Sequence, residues 1–223
     1  MFDMIILLTG TQEQAALARV LGKHNSLLTV KPVATLAEVV ALKPKLLRDA
    51  RLVAFSTGVV VPPHVLHQLG YGAYNFHPGP PEFPGWGPAH FAILRGATEF
   101  GATAHRMIEA VDAGEIVGVE RFSISPGIGI IKLEELAYSH LAKLFWRMAQ
   151  LLATRAEPLP NLPILWSSEK CTRRRYATMC GLLTDCTKDE LDSRIRTLAV
   201  THHSSSENGP NHIAESNRPY STD

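Results

Sequence analysis

The 223-residue sequence is short of several things, and each shortage excludes a class of protein. Cysteine is scarce: Cys171, Cys180 and Cys186 are the only three. An odd set clustered late in the chain is not a disulfide framework, and its spacing is unlike paired zinc knuckles. A reducing, cytoplasmic setting is the expectation, with no metal site. An excess of one charge is also missing. Lys and Arg total 22, Asp and Glu total 21, and the formal net charge is +1. That balance argues against a protein built to follow a nucleic-acid backbone. No window approaches 18 consecutive apolar residues, so no membrane-spanning helix is expected. The opening MFDMIILLTGTQEQ lacks a basic n-region and carries Asp3, so it reads as a first strand and not as a signal peptide. A GxGxxG fingerprint is absent, which disfavours a nicotinamide dehydrogenase. There is no internal repeat.

What is present is a chain with 45% hydrophobic and 19% charged residues, long enough for one sizeable core. Met4 to Thr9 is a short apolar run. From Gln12 to Lys23 the apolar residues Ala15, Ala16, Leu17, Val20 and Leu21 fall at helical spacing. Ser26 to Val30 reads as a second strand. Thr35, with Glu38 three residues on, is a capping box, and its helix runs to about Leu42, where Pro44 interrupts. Arg51 to Ser56 is a third strand, His64 to Leu69 a helix opened by Pro62-Pro63, and Gly72 to Phe76 a fourth strand. A proline- and glycine-rich loop follows, then a helix at about Ala89 to Leu94. Thr103 to Ile108 and Ile116 to Ile124 look like strands. Glu134 to Ala153 is the longest helix, and Lys188 to Leu198 a short amphipathic one. Strands alternating with helices imply βαβ units around a parallel sheet covered on both faces.

Tyr74-Asn75-Phe76-His77-Pro78 is the informative stretch. Asn75 and His77 are two apart, so a strand projects them to one face. They close a strand at the edge where open α/β sheets place ligands. Pro78 cannot continue the ladder. Further on, Asp112 precedes Ala113-Gly114 at the tight start of an apolar strand. Taken alone, each of these is ordinary: a capping Asn, a surface His, a turn-forming Asp.

Together they resemble the folate-dependent formyltransferases, the family of glycinamide ribonucleotide transformylase, methionyl-tRNA formyltransferase and the sugar-nucleotide N-formyltransferases. The stretch AYNFHPGPPEFPGWGPAHFAILRGATEFGATAHRMIEAVDAGEIV is similar to their Asn-x-His-Pro loop, helix, Gly-x-Thr-x-His strand and Val-Asp-x-Gly-x-Ile turn, in that order. The resemblance covers roughly Leu52 to Ile124. It implies an α/β, Rossmann-like formyltransferase fold: a mostly parallel sheet, flanking helices and a short C-terminal extension. The implied division is a catalytic domain over 1–155, an extension over 156–200 and a flexible tail over 201–223. Asn75, His77 and Asp112 match the family's catalytic trio. The implied one-carbon donor is 10-formyltetrahydrofolate, and the implied acceptor a small primary amine such as a nucleotide-linked amino sugar. Gly58, Val59 and Val60 match one segment of the pterin site; Met107, Ile108, Glu109, Ala110 and Asp112 match the other. An apolar slot with a few backbone hydrogen bonds suits a flat heteroaromatic ring. In the reaction, Asn75 and a protonated His77 would donate to an oxyanion, and Asp112 would favour the imidazolium or take the amine proton.

Departures bear on the acceptor. Pro78-Gly79-Pro80-Pro81-Glu82-Phe83-Pro84-Gly85-Trp86-Gly87 replaces the usual Ser and two Leu after the Pro and the basic residue before the Gly. The half before Asn75 is about one βα unit shorter than is typical, and Gly10-Thr11-Gln12 is not a phosphate loop. The residues after Ala153 leave no room for the barrel domain of the methionyl-tRNA enzymes, so a nucleic-acid acceptor is not expected. A homodimer stays open. Two alternatives remain: hydrolysis of 10-formyltetrahydrofolate, and folate binding without turnover. Among other residues, His105 reads as a supporting group behind the trio, while His90 and Trp86 are candidates for the acceptor side. Arg173, Arg174 and Arg175 read as a solvated basic run that is also suited to phosphates. His202-His203 is the nearest thing to a metal signal.

Overall fold

A computed structural model describes residues 2–182 and 184–195. The expected tail, 201–223, lies outside them, as does His202-His203. The described residues fall into two compact units, one ending at Tyr176 and the other starting at Ala177. The first holds a six-stranded sheet. Its strands are β1 (Met4–Leu8), β2 (Thr29–Val33), β3 (Ala50–Phe55), β4 (Ala73–His77), β5 (Glu99–Arg106) and β6 (Ile116–Ser123), in the spatial order β2-β1-β3-β4-β5-β6. The β1–β2, β1–β3 and β3–β4 pairs are parallel. The β4–β5 and β5–β6 pairs are antiparallel.

Strand alternation builds two cores. Ile5, Leu7, Val53, Phe55 and Phe76 pack on one face against α1 (Thr11–Gly22) and α6 (Ile130–Thr154). Ile6, Leu8, Leu52 and Ala54 pack on the other against α2 (Leu36–Val40), α3 (Pro44–Arg48) and α4 (Pro63–Leu66). Phe145 of α6 meets Phe76 at 5.1 Å and Phe55 at 5.6 Å between ring centroids. Each such buried ring contributes roughly 1.5–3 kcal/mol. Arg51 is also fully buried. Its guanidinium donates to the carbonyls of Leu152, Tyr71 and Glu157, which ties the sheet to the end of α6.

Several boundaries differ from the sequence reading. β2 begins three residues late, because the Asn25 side chain and carbonyl accept from the Leu27 and Leu28 amides and hold a turn there. Leu27 is exposed. Pro44 opens a helix instead of interrupting one; its missing N–H costs nothing at a first helical position. β5 starts at Glu99 and stops at Arg106, freeing Met107–Val111 to leave the sheet. A further helix, α7 (Arg173–Met179), follows α5 (Pro88–Leu94) and α6 and takes up the basic run, and residues 188–195 are helical as well. The Thr35–Glu38 capping box forms as expected.

Candidate active site

The sheet brings the predicted residues together at one edge. β4 presents Asn75 and His77, and its antiparallel partner β5 sets His105 opposite Asn75 and Thr103 opposite His77. Beyond β3 and β5 the chain leaves the sheet in two loops that face each other across a cavity of about 420 Å³. Ser56–Val61 forms one loop and Met107–Asp112 the other. Asn75, His77, Asp112, Gly58, Val59, Val60, Met107, Ile108, Glu109 and Ala110 all line the cavity; His90 is not among them. Among the described residues, Ser56 (φ 46°) and Asp112 (φ 43°) are the two non-glycine residues with positive φ. Such conformations cost about 1–3 kcal/mol and persist where the surroundings over-determine them. Both residues line this cavity.

Asp112 is the hub. Its Oδ2 accepts from the Gly85 amide at 2.9 Å and lies 3.4 Å from His77 Nδ1. Its Oδ1 accepts from His105 Nε2 at 3.1 Å and from the Asn75 amide at 3.5 Å. Burial raises the carboxyl's pKa, but these donors and the two rings outweigh it and hold the group well below the usual carboxylate range. His77 behaves differently. Its Nε2–H donates to the Phe83 carbonyl at 3.2 Å. Burial lowers its pKa more than Asp112 raises it. Asp112 does favour the charged ring, and desolvation is the larger effect on it. Gly79 makes room for this ring. A Cβ there would lie 2.8 Å from His77 Nε2 and 2.6 Å from Pro88 Cβ.

Sequence reasoning missed the bracing behind the trio. Trp166 stands edge-on to both histidines, with centroids 5.0 Å from His105 and 5.9 Å from His77. Its indole N–H donates to the Gly114 carbonyl at 2.8 Å. Lys170 Nζ donates to the carbonyls of Val111 and Asp112, which fixes the strained turn from outside. Cys171 pairs with Gly85 as a backbone bridge, and burial pushes its thiol up to about 11. Gly85 has φ +102°, and a Cβ on it would meet the Cys171 carbonyl at 2.4 Å. No periodicity links these residues to Asp112; only the folded chain does.

Comparison with known proteins places the chain. A family model described as Formyl transferase matches residues 11–137, more than half of its length. The chain belongs to that family. Among curated relatives, methionyl-tRNA formyltransferase of Listeria monocytogenes serotype 4a (strain HCC23) is 35% identical over 91 residues. That match covers 40% of this chain and only 28% of the relative. Among solved structures, a sugar N-formyltransferase from Shewanella sp FDAARGOS_354 aligns with a TM-score of 0.64 at 15% identity, over 86% of this chain and 87% of that one. The formyltransferase PseJ from Anoxybacillus kamchatkensis aligns with a TM-score of 0.62 at 19% identity, over 82% and 93%; it was solved with UDP-4,6-dideoxy-4-formamido-L-AltNAc and tetrahydrofolate. These formyl transferases share the Rossmann-like fold. Within the family match lie Asn75, His77, His105 and Asp112; Trp166, Lys170 and Cys171 lie beyond it. Among the described residues, no helix is long and apolar enough to cross a membrane, and no group of three or more His, Cys, Asp or Glu is placed to hold a metal ion.

Proposed function

We propose that the chain transfers a formyl group from 10-formyltetrahydrofolate to the primary amine of a small acceptor, with a nucleotide-linked amino sugar as the leading candidate. One observation carries this reading: an amide, an imidazole and a carboxylate converge on one edge of a cavity walled by two backbone loops. The loops fit the donor. Val60, Ile108 and Val111 are 59%, 47% and 49% exposed, an apolar surface around the cavity that a pterin would cover. The tetrahydrofolate and nucleotide sugar bound by PseJ support the same pairing of ligands.

The donor supplies the activated formyl carbon; the chain supplies the rest. Asn75 turns an amide N–H toward the oxygen on which charge develops when an amine adds. A donor of this kind is worth about 2.7–4 kcal/mol of barrier. His77 takes the amine's proton. With Nε2–H held by Phe83, the vacant position is Nδ1, facing Asp112. The imidazolium formed there has an acceptor on each side, and Nδ1 can return the proton to the departing folate nitrogen. Asp112, held so low, is a weak base; it orients both rings and stabilises the charged one.

Single-turnover mixing with 10-formyltetrahydrofolate tests the reading. Transfer to an added amino sugar nucleotide, with no deformylation in its absence, is expected. Rapid release of tetrahydrofolate without an amine would assign hydrolysis instead. Tight binding with neither product would leave a folate-binding protein.

A further inference from the structure

We propose that Arg173 and Trp86 form a phosphate-reading corner of the cavity, which makes the acceptor a phosphorylated, ring-bearing amine. The word acceptor rests on the formyl-transfer reading; the anion site does not.

The cavity's lining is uneven in charge. Its charged side chains other than histidine are Glu109, Asp112 and Arg173. Asp112 spends its oxygens on three donors of the chain and on the approach of His77, and Glu109 lies 3.3 Å from His67 on an exposed surface. Arg173 is the cation. It belongs with Gly85, Trp86, Gly87 and Pro88, the part of the lining furthest in character from the valine-rich loops.

The three consecutive arginines have separate fates. Arg175 donates to Glu169 at 2.8 Å, and Arg95 reaches the same carboxylate at 2.7 Å. Arg174 is exposed. Arg173 is half-buried, with its guanidinium carbon 4.9 Å from the centre of the Trp86 ring. An indole beneath a guanidinium leaves the charge intact and removes part of its water, which strengthens any anion contact. Trp86 is itself fixed. Its amide donates to the Cys171 carbonyl at 2.9 Å, and its ring meets His90 at 5.1 Å and Tyr176 at 5.9 Å. A planar fork beside a fixed aromatic face suits a phosphate carried next to a ring. The loop that departs from the family pattern, Pro78 to Gly87, carries this tryptophan one residue before its end.

Carboxylates offer similar chemistry, including those of the donor's glutamate tail, so the test separates the sources. UDP, inorganic pyrophosphate, malonate and 5-formyltetrahydrofolate are titrated by calorimetry and tryptophan fluorescence against the full chain and its Arg173→Met, Arg173→Lys and Trp86→Leu variants. UDP is expected to bind and quench fluorescence, and pyrophosphate to displace it. Arg173→Met should weaken UDP at least about ten-fold, and Arg173→Lys by less. Binding of 5-formyltetrahydrofolate should change less than about two-fold, which also shows the variants fold. The proposal is overturned if the wild-type chain binds 5-formyltetrahydrofolate but not UDP, or if malonate displaces UDP as well as pyrophosphate does. Loss of 5-formyltetrahydrofolate binding with UDP spared, in Arg173→Met, overturns it too and gives the arginine to the donor. Failure of the wild-type chain to bind 5-formyltetrahydrofolate would sink the formyl-transfer reading alone; UDP would still judge the corner.

Discussion

The two sides of the cavity are held by different physics. On one, Asn75, His77, His105 and Asp112 form a polar lattice in which each group has two or more partners. Trp166 and Lys170 hold it from behind. On the other, Val59, Val60, Ile108 and Val111 sit on loops and leave apolar surface uncovered. The first side is built to hold atoms still, the second to be covered. Changes to the polar side should therefore strike turnover, and changes to the apolar side should strike donor affinity.

The sharpest test is Asn75→Ala. Rapid-mix assays should show kcat falling about 10²–10³-fold with the donor KM nearly unmoved. Near-normal turnover would remove the amide from the chemistry. Next comes Lys170→Met, which leaves the carbonyls of Val111 and Asp112 without their ammonium. We expect kcat to fall about ten-fold. Lys170 also lowers the pKa of His77, so the acid limb of the pH–rate profile should move to higher pH in this variant. A purely structural lysine would not move that limb. On the apolar side, Val60→Ser should raise the donor KM about five-fold, on the order of 1 kcal/mol of apolar contact, at constant kcat. A fall in kcat instead would erase the contrast between the sides.

The smallest effect is on stability against acid. His77 has its pKa lowered from 6.5 by burial, so the folded chain binds fewer protons there than the unfolded chain does. Its contribution is present above 6.5 and is lost as pH falls from 6.5 toward the lowered value. His90, also lowered by burial, adds loss in the same window. Asp112 adds another below its ordinary 3.8. Melting temperatures measured from neutral to acid pH should fall in these two steps, and His77→Gln should shrink the first.

Much of this was legible in the sequence where chemistry is local. Thr35 and Glu38 cap a helix through atoms three residues apart. Asn75 and His77 share an edge because strands alternate. The extent of β2 was not legible, because the Asn25 turn competes with a run of apolar residues that reads equally well as strand. Nor was the downward shift of the His77 pKa, which depends on how deeply the ring is buried as well as on the carboxylate beside it. The contributions of Trp166, Lys170 and Cys171 come from a segment with no regular pattern, laid against Asp112 only by the finished fold.

Gly79 leaves this site little tolerance for bulk. The imidazole leans into volume that every other amino acid would occupy with its first side-chain carbon, and the rigid ring of Pro88 stands just as close to it. A single extra methyl would act as a built-in plug: the protein could keep its sheet and still lose the ring's alignment. Position 79 is thus a place where the smallest change in bulk becomes a change in chemistry.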